Sequence, residues 1–286
     1  MNEEQSYALI LAYDGTDFAG YARQSNPPQR TVQGELEAAL ATALHLPERS
    51  ERPERLEGPL QTVVAGRTDA GVHASGQVVS FTSPEVPPGL DADPTFLRSL
   101  NALTPRDISV RAIQAVPPGF SARFDAVERE YRYRIATAVE PPLFMQRYAW
   151  HLPGFAGAAS SERRARLAQA AAALIGEHDF SSFAVTASLE GKNPVRTLRS
   201  IDLVEATVLG EPLTEIRIVG TAFLHSMVRV IVGTLVDIDA GRLKPDALPA
   251  ILAACDRSAA GQTAPARGLT FWGVTYPQFS SALLPQ

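Results

Sequence analysis

Residues 65–77 constrain this chain most. They read Ala65, Gly66, Arg67, Thr68, Asp69, Ala70, Gly71, Val72, His73, Ala74, Ser75, Gly76, Gln77, with Val63 and Val64 leading in and Val78, Val79 and Phe81 leading out. Two short apolar runs flanking a polar, glycine-bearing segment predict strand, exposed loop, strand. The glycines allow tight turning or close approach of backbone to a ligand. Arg67 and Asp69, two apart, share a side wherever the chain between them is extended. A carboxylate beside a guanidinium stays ionised near neutral pH. Such an Asp can serve as nucleophile, base or transition-state stabiliser. The same residues also suit a plain turn, with Asp69 in an Asx-turn and Arg67 in solvent.

Tyr7–Tyr13 reads as a strand, Asp14–Asp17 as a turn, and Thr31 as the N-cap of a helix carrying Val32, Leu36, Ala39, Leu40, Ala43 and Leu44. Residues 47–60 combine Pro47, Pro53 and Pro59 with mixed charges and predict a flexible surface loop. Asp93 and Pro94 suit the N-cap and first position of a helix to Leu103, and Ile108, Val110 and Ala112 alternate as a strand. Pro117, Pro118 and Gly119 mark a boundary, dividing the chain into domains 1–115 and 116–286.

In the second part, Arg129, Tyr131, Tyr133 and Ile135 share one face of a strand; Glu130, Arg132 and Arg134 share the other. Ser160 or Ser161 caps a helix with Leu167, Ala170, Ala171, Leu174 and Ile175. Strands follow at Thr197–Glu205 and Leu213–Val219, turning around Gly210 and Pro212. Phe223–Asp237 has a wide apolar helical stripe, with His225 and Arg229 on another side. That arginine needs a partner if buried, or reaches the surface along its stem. Thr270–Tyr276 is a closing strand.

Composition bounds the function. With 286 residues, 45% hydrophobic and 20% charged, the chain can bury a sizeable core. Glu3, Glu4 and Gln5 open it without a signal-peptide pattern. The longest apolar stretch, Met227–Val236, contains Arg229 and is too short to span a bilayer. No membrane segment and a cytoplasmic location are expected. Cys255 is the single cysteine, which excludes an internal disulfide; its helical pattern with Leu248, Ile251 and Leu252 predicts a buried thiol. No two of the five histidines show a local metal spacing, so no metal is expected. A net charge of −5 argues against basic surface everywhere and leaves room for a local basic cleft. Of the 26 basic residues all but Lys192 and Lys244 are arginines, which suit bidentate phosphate contacts and base stacking.

Gly66–His73 resembles, over eight consecutive residues, the signature loop of the tRNA pseudouridine synthase A family. Tyr13–Thr16, Arg30–Glu37, Arg129–Tyr133, Phe223–Arg229 and Thr263–Leu269 resemble further blocks of that family. Phe18–Gln24 departs from it, with Tyr21 and Ala22 where Trp and Gln are expected. The resemblance implies an α+β fold: two similar domains, antiparallel sheets joined side by side, helices on one face and an RNA cleft on the other. It implies isomerisation of uridine to pseudouridine at positions 38, 39 and 40 of the tRNA anticodon stem and loop. It implies a homodimer, no cofactor, Asp69 as the catalytic residue, Tyr131 stacking on the target base, and Arg229 as partner of Asp69. Arg67 would contact phosphate or the space left by the flipped nucleotide, and Leu269 would line the pocket. A binding protein on the same scaffold would need Tyr131 and the arginines but not Asp69. A glycosidase would need a second carboxyl group that this loop does not supply.

Overall fold

The computed structural model describes residues 5–24, 27–46, 60, 62–83, 86–155 and 161–283. All but one residue of the expected 47–60 loop, and Ser160, lie outside the described residues. The chain divides into two compact units, Met1–Val127 with Phe271–Gln286, and Glu128–Thr270.

The first unit holds β1 (Gln5–Tyr13), α1 (Val32–Ala43), β2 (Thr62–Val64), β3 (His73–Ser83), α2 (Pro94–Leu103) and β4 (Ile108–Val116). β1 lies between β3 and β4, antiparallel to both, and β2 pairs with β3. Thr31 caps α1, its side chain accepting from the Gly34 amide at 3.2 Å. Asp93 caps α2, accepting from the Thr95 amide at 2.8 Å, with Pro94 at the first helical position. Leu9 and Leu11 of β1, Val79 of β3, Leu36 and Leu40 of α1 and Leu100 of α2 are fully buried. Each such side chain contributes about 1.5–3 kcal/mol by leaving water.

The alternation expected along β4 breaks. Val110 pairs with Leu11 and Ala112 with Ile10, so Arg111 is an extra residue and Val110 and Ala112 face opposite sides of the sheet.

The second unit holds β5 (Glu128–Ala136), β6 (Trp150–His151), α3 (Ser161–Ala171), β7 (Gly176–Asp179), β8 (Val195–Val208), β9 (Glu211–Gly220), α4 (Met227–Asp239) and α5 (Ala247–Ala254). The strand order is β5-β9-β8-β7, all antiparallel; β6 pairs with β5 in parallel, the exception to the antiparallel expectation. Leu209 and Gly210, at φ 50° and 83°, form the two-residue β8–β9 turn that a hairpin's twist favours. Pro212 belongs to β9, opposite Thr207, rather than to the turn. β10 (Leu269–Thr275) follows; from Phe271 it belongs to the first unit, where it neighbours β3. The assembly of elements is α+β.

Two further expectations are corrected. The helix begins at Met227, not Phe223, because Ser226 takes a left-handed conformation (φ 60°) and breaks the run. His225 therefore precedes the helix and does not share a helical side with Arg229. Cys255 is exposed, because α5 ends at Ala254 and the cysteine takes the left-handed C-cap position. Among the described residues no helix is long and apolar enough to cross a membrane.

Candidate active site

The Gly66–His73 loop leads from β2 into β3. Its centre is a four-residue turn in which the Val72 amide donates to the Asp69 carbonyl at 3.1 Å. Gly71 stands at φ 76°, the left-handed value required at the third position of a type II turn. The turn leaves Asp69 half-buried at its first position and Arg67 exposed just before it.

Buried polar groups brace this turn. The Tyr13 hydroxyl lies 2.8 Å from Thr68 Oγ1. Gln77 Nε2 donates to the Gly66 carbonyl at 2.8 Å and to the Tyr13 hydroxyl at 3.3 Å. With that oxygen accepting from Gln77, the Tyr13 proton is available to Thr68. Burial pushes the Tyr13 phenol up to about 12, outweighing the hydrogen bonds from Thr68 and Gln77, so the hydroxyl stays a donor at neutral pH. The Tyr21 amide donates to the Thr68 carbonyl at 3.0 Å. The residues that precede Asp69 are thereby tied to β1, β3 and the loop after β1.

At the other end, the Gly15 amide donates to His73 Nδ1 at 3.0 Å. The amide can only donate, so Nδ1 accepts and the ring proton sits on Nε2. An Nδ1 in that role cannot also donate to the Asp14 carboxylate, 3.2 Å away. Gly15 lies so close that a Cβ there would stand 2.0 Å from the Val72 carbonyl oxygen. Gly15→Ala is accordingly expected to lower stability by about 1–3 kcal/mol through forced backbone movement. Thermal unfolding of the variant measures this, and an unchanged Tm would show the two loops free to part.

Within the Phe18–Gln24 loop, Phe18 and Tyr21 are part of the core, while Arg23 and Gln24 are exposed. Tyr21 is 1% exposed and packs its ring 6.4 Å from that of Tyr13. The buried Glu37 carboxylate accepts from Arg23 at 2.6 Å, Gln33 at 2.9 Å and Thr62 at 2.8 Å. Arg30 grips both oxygens of Asp107 at 2.7 and 2.8 Å and lies 4.1 Å over the Phe18 ring. Tyr21 thus serves packing of the first unit.

In the second unit, Tyr131 on β5 is 7% exposed and meets Phe223 edge-on, ring centroids 4.9 Å apart. Two residues on, Tyr133 is fully buried and donates its hydroxyl proton to the Pro265 carbonyl at 2.8 Å. Burial holds its phenol well above the ordinary range, against the pull of the nearby Arg229 and Arg267 charges. Arg229 is half-buried on α4. Its Nε donates to the Ala264 carbonyl at 2.8 Å, and the Ala264 amide returns a bond to the Arg229 carbonyl at 3.0 Å. Leu269 is buried at the start of β10. The second unit therefore gathers Arg229 and the strap at 264–268 around Tyr133. Asp69 and Arg67 belong to the first unit. Tyr133, Arg267, Tyr13 and Gln77 were not singled out from sequence as site residues. For Tyr133 the signal was present in its shared strand face with Tyr131.

The family model for tRNA pseudouridine synthase matches residues 9–125 and 170–277. The chain belongs to the tRNA pseudouridine synthase family, a family of isomerases. Within it, the chain is similar to the tRNA pseudouridine synthases A. It is 42% identical to that of Bacillus velezensis and 41% identical to that of Bacillus subtilis, in each case over 93% of this chain and 97% of the relative. It is 40% identical to that of Geobacillus kaustophilus over 95% of both chains.

Proposed function

We propose that this protein converts uridine to pseudouridine at positions 38, 39 and 40 of the tRNA anticodon stem and loop, with Asp69 as the catalytic carboxylate. The observation that carries the reading is the braced Gly66–His73 turn, which holds a half-exposed Asp69 in a chain similar along nearly its whole length to tRNA pseudouridine synthases A. In the reaction the bond from uracil N1 to the ribose carbon breaks, the base turns, and C5 bonds to the same carbon. The proton leaving C5 is balanced by one gained at N1. No electrons are transferred to or from the nucleoside, and the reading calls for no cofactor.

A stem or loop uridine must leave its stack, at a cost of a few kcal/mol. Stacking on Tyr131 returns about 1–3 kcal/mol of that. In this reading Phe223 sets the plane of Tyr131, Arg229 partners Asp69, Leu269 lines the pocket and Arg67 meets phosphate. In this reading the chain comprises an N-terminal domain, 1–115, that carries Asp69 and a C-terminal domain, 116–286. A homodimer presents tRNA to both subunits in the cytoplasm.

The test is to incubate the protein with unmodified tRNA bearing uridines at positions 38–40 and to map pseudouridine by position. Product at those sites is expected. Product elsewhere would move the specificity, and bound tRNA without product would favour a binding protein.

A further inference from the structure

Two irregularities face each other across β1. In β4 the extra residue is Arg111, between the partners of Leu11 and Ile10. In β3 the partners of Leu11 and Tyr13 are Gln77 and Ala74, so the Ser75–Gly76 pair opposes the single residue Ala12. Bulges re-aim side chains and are common beside functional sites. Here they bring Arg111 and Ser75 together from strands that are not neighbours, Nη1 of Arg111 lying 3.5 Å from Ser75 Oγ. The β3 bulge is pinned from behind, because Ser281 Oγ donates to the Gly76 carbonyl at 2.6 Å.

Several arginines of this chain are paired with carboxylates: Arg30 with Asp107, Arg163 with Asp239, and Arg132, Arg134 and Arg217 with Glu215. Arg111 is not. Among the described residues its recorded partner is the Ser75 hydroxyl, and no carboxylate pairs with it. It is exposed, and Ser75 is half-exposed. Ser75 follows His73, the last residue of the Asp69 loop, by two positions. A guanidinium and a hydroxyl, both able to donate, thus converge beside that loop without an acid to quench them.

We infer that Arg111 and Ser75 form a subsite for one phosphodiester of the RNA backbone, seating the substrate strand beside the Asp69 loop. The inference rests on the RNA-modifying function proposed above. Guanidinium geometry favours phosphate oxygens, and neutralising one phosphate adds roughly 0.9 to the magnitude of the slope of log binding constant against log salt.

The experiment is tRNA affinity as a function of monovalent salt for wild type, Arg111→Gln, Arg111→Lys, Ser75→Ala and Arg98→Gln. Arg98 is exposed on α2 and supplies the same charge change elsewhere in the unit. Arg111→Gln is expected to weaken binding about five- to tenfold near physiological salt and to flatten the slope by about one. Arg111→Lys should keep the slope, Ser75→Ala should weaken binding without altering it, and Arg98→Gln should resemble wild type. Turnover at saturating tRNA should stay within twofold for Arg98→Gln. An unchanged slope for Arg111→Gln, or an equal change for Arg98→Gln, would overturn the subsite. Wild type that binds tRNA but forms no pseudouridine would overturn the proposed function while leaving the slope measurement decisive for the subsite.

Discussion

Asp69→Asn is expected to bind tRNA at least as tightly as wild type and to form pseudouridine at least about 10⁴-fold more slowly. Asparagine keeps the shape of the side chain and is at home in turns. The turn itself uses the Asp69 main-chain carbonyl, which the substitution leaves in place. The residues before Asp69 are held by Tyr13, Gln77 and Tyr21, none of which bonds the Asp69 side chain in the contacts described above. Nucleophilic attack, proton removal and charge stabilisation all require an ionised oxygen, so the loss does not depend on which of them operates. Removing a negative charge should leave the affinity for a polyanion such as tRNA unchanged or slightly higher. Single-turnover rates and equilibrium tRNA binding measured on the same preparation separate the two effects. Residual turnover within tenfold of wild type would remove Asp69 from the chemistry.

What was legible in the sequence was local chemistry. Thr31 and Asp93 announced α1 and α2 because a cap needs only its own side chain and the next few amides. β5 was legible because Tyr131, Tyr133 and Ile135 alternate with charged residues over a whole strand. The misplacements arise where distant parts of the chain decide. Ser226 interrupts a run whose apolar periodicity continues unbroken, so the pattern overstated α4 by one turn. Ala112 faces the opposite side from Val110 because β1 demands a bulge at Arg111. The placement of β10 beside β3 joins residues almost two hundred positions apart, and no local signal encodes it.

The candidate site divides in the same way. The Asp69 loop was identifiable as a string, but its bracing was not. Tyr13 and Thr68 are 55 positions apart, and Gly15 reads as a routine turn residue until Val72 is seen against it. Arg111 is one of six arginines between residues 101 and 134, a stretch that also holds four acids, and nothing in the sequence sets it apart from the rest. Only the pairing of strands distinguishes it from Arg132 and Arg134, which are spent on a carboxylate.

That carboxylate supports the second large effect: Glu215→Gln is expected to destabilise the protein by roughly 3 kcal/mol at pH 7, and by progressively less in acid. The Glu215 side chain is 5% exposed and accepts from Arg217 at 2.7 Å, Arg134 at 3.2 Å and Arg132 at 3.3 Å. Arg132 and Arg217 sit directly opposite on β5 and β9, a like-charge pair that repels unless an acid lies between them. Burial by itself would raise the Glu215 carboxyl. The hydrogen bond from Arg217 and the charges of Arg132 and Arg134 outweigh burial and hold it below its ordinary value of 4.5. A carboxyl depressed by folding contributes its full stability above its unfolded value and loses it as pH falls through the folded one. The wild-type advantage over Glu215→Gln should therefore be constant between about pH 6 and 8 and shrink below about pH 4.5. Denaturant unfolding of both proteins across that range measures it. A gap that persists undiminished at pH 3 would mean that shape, rather than charge, holds the three arginines together.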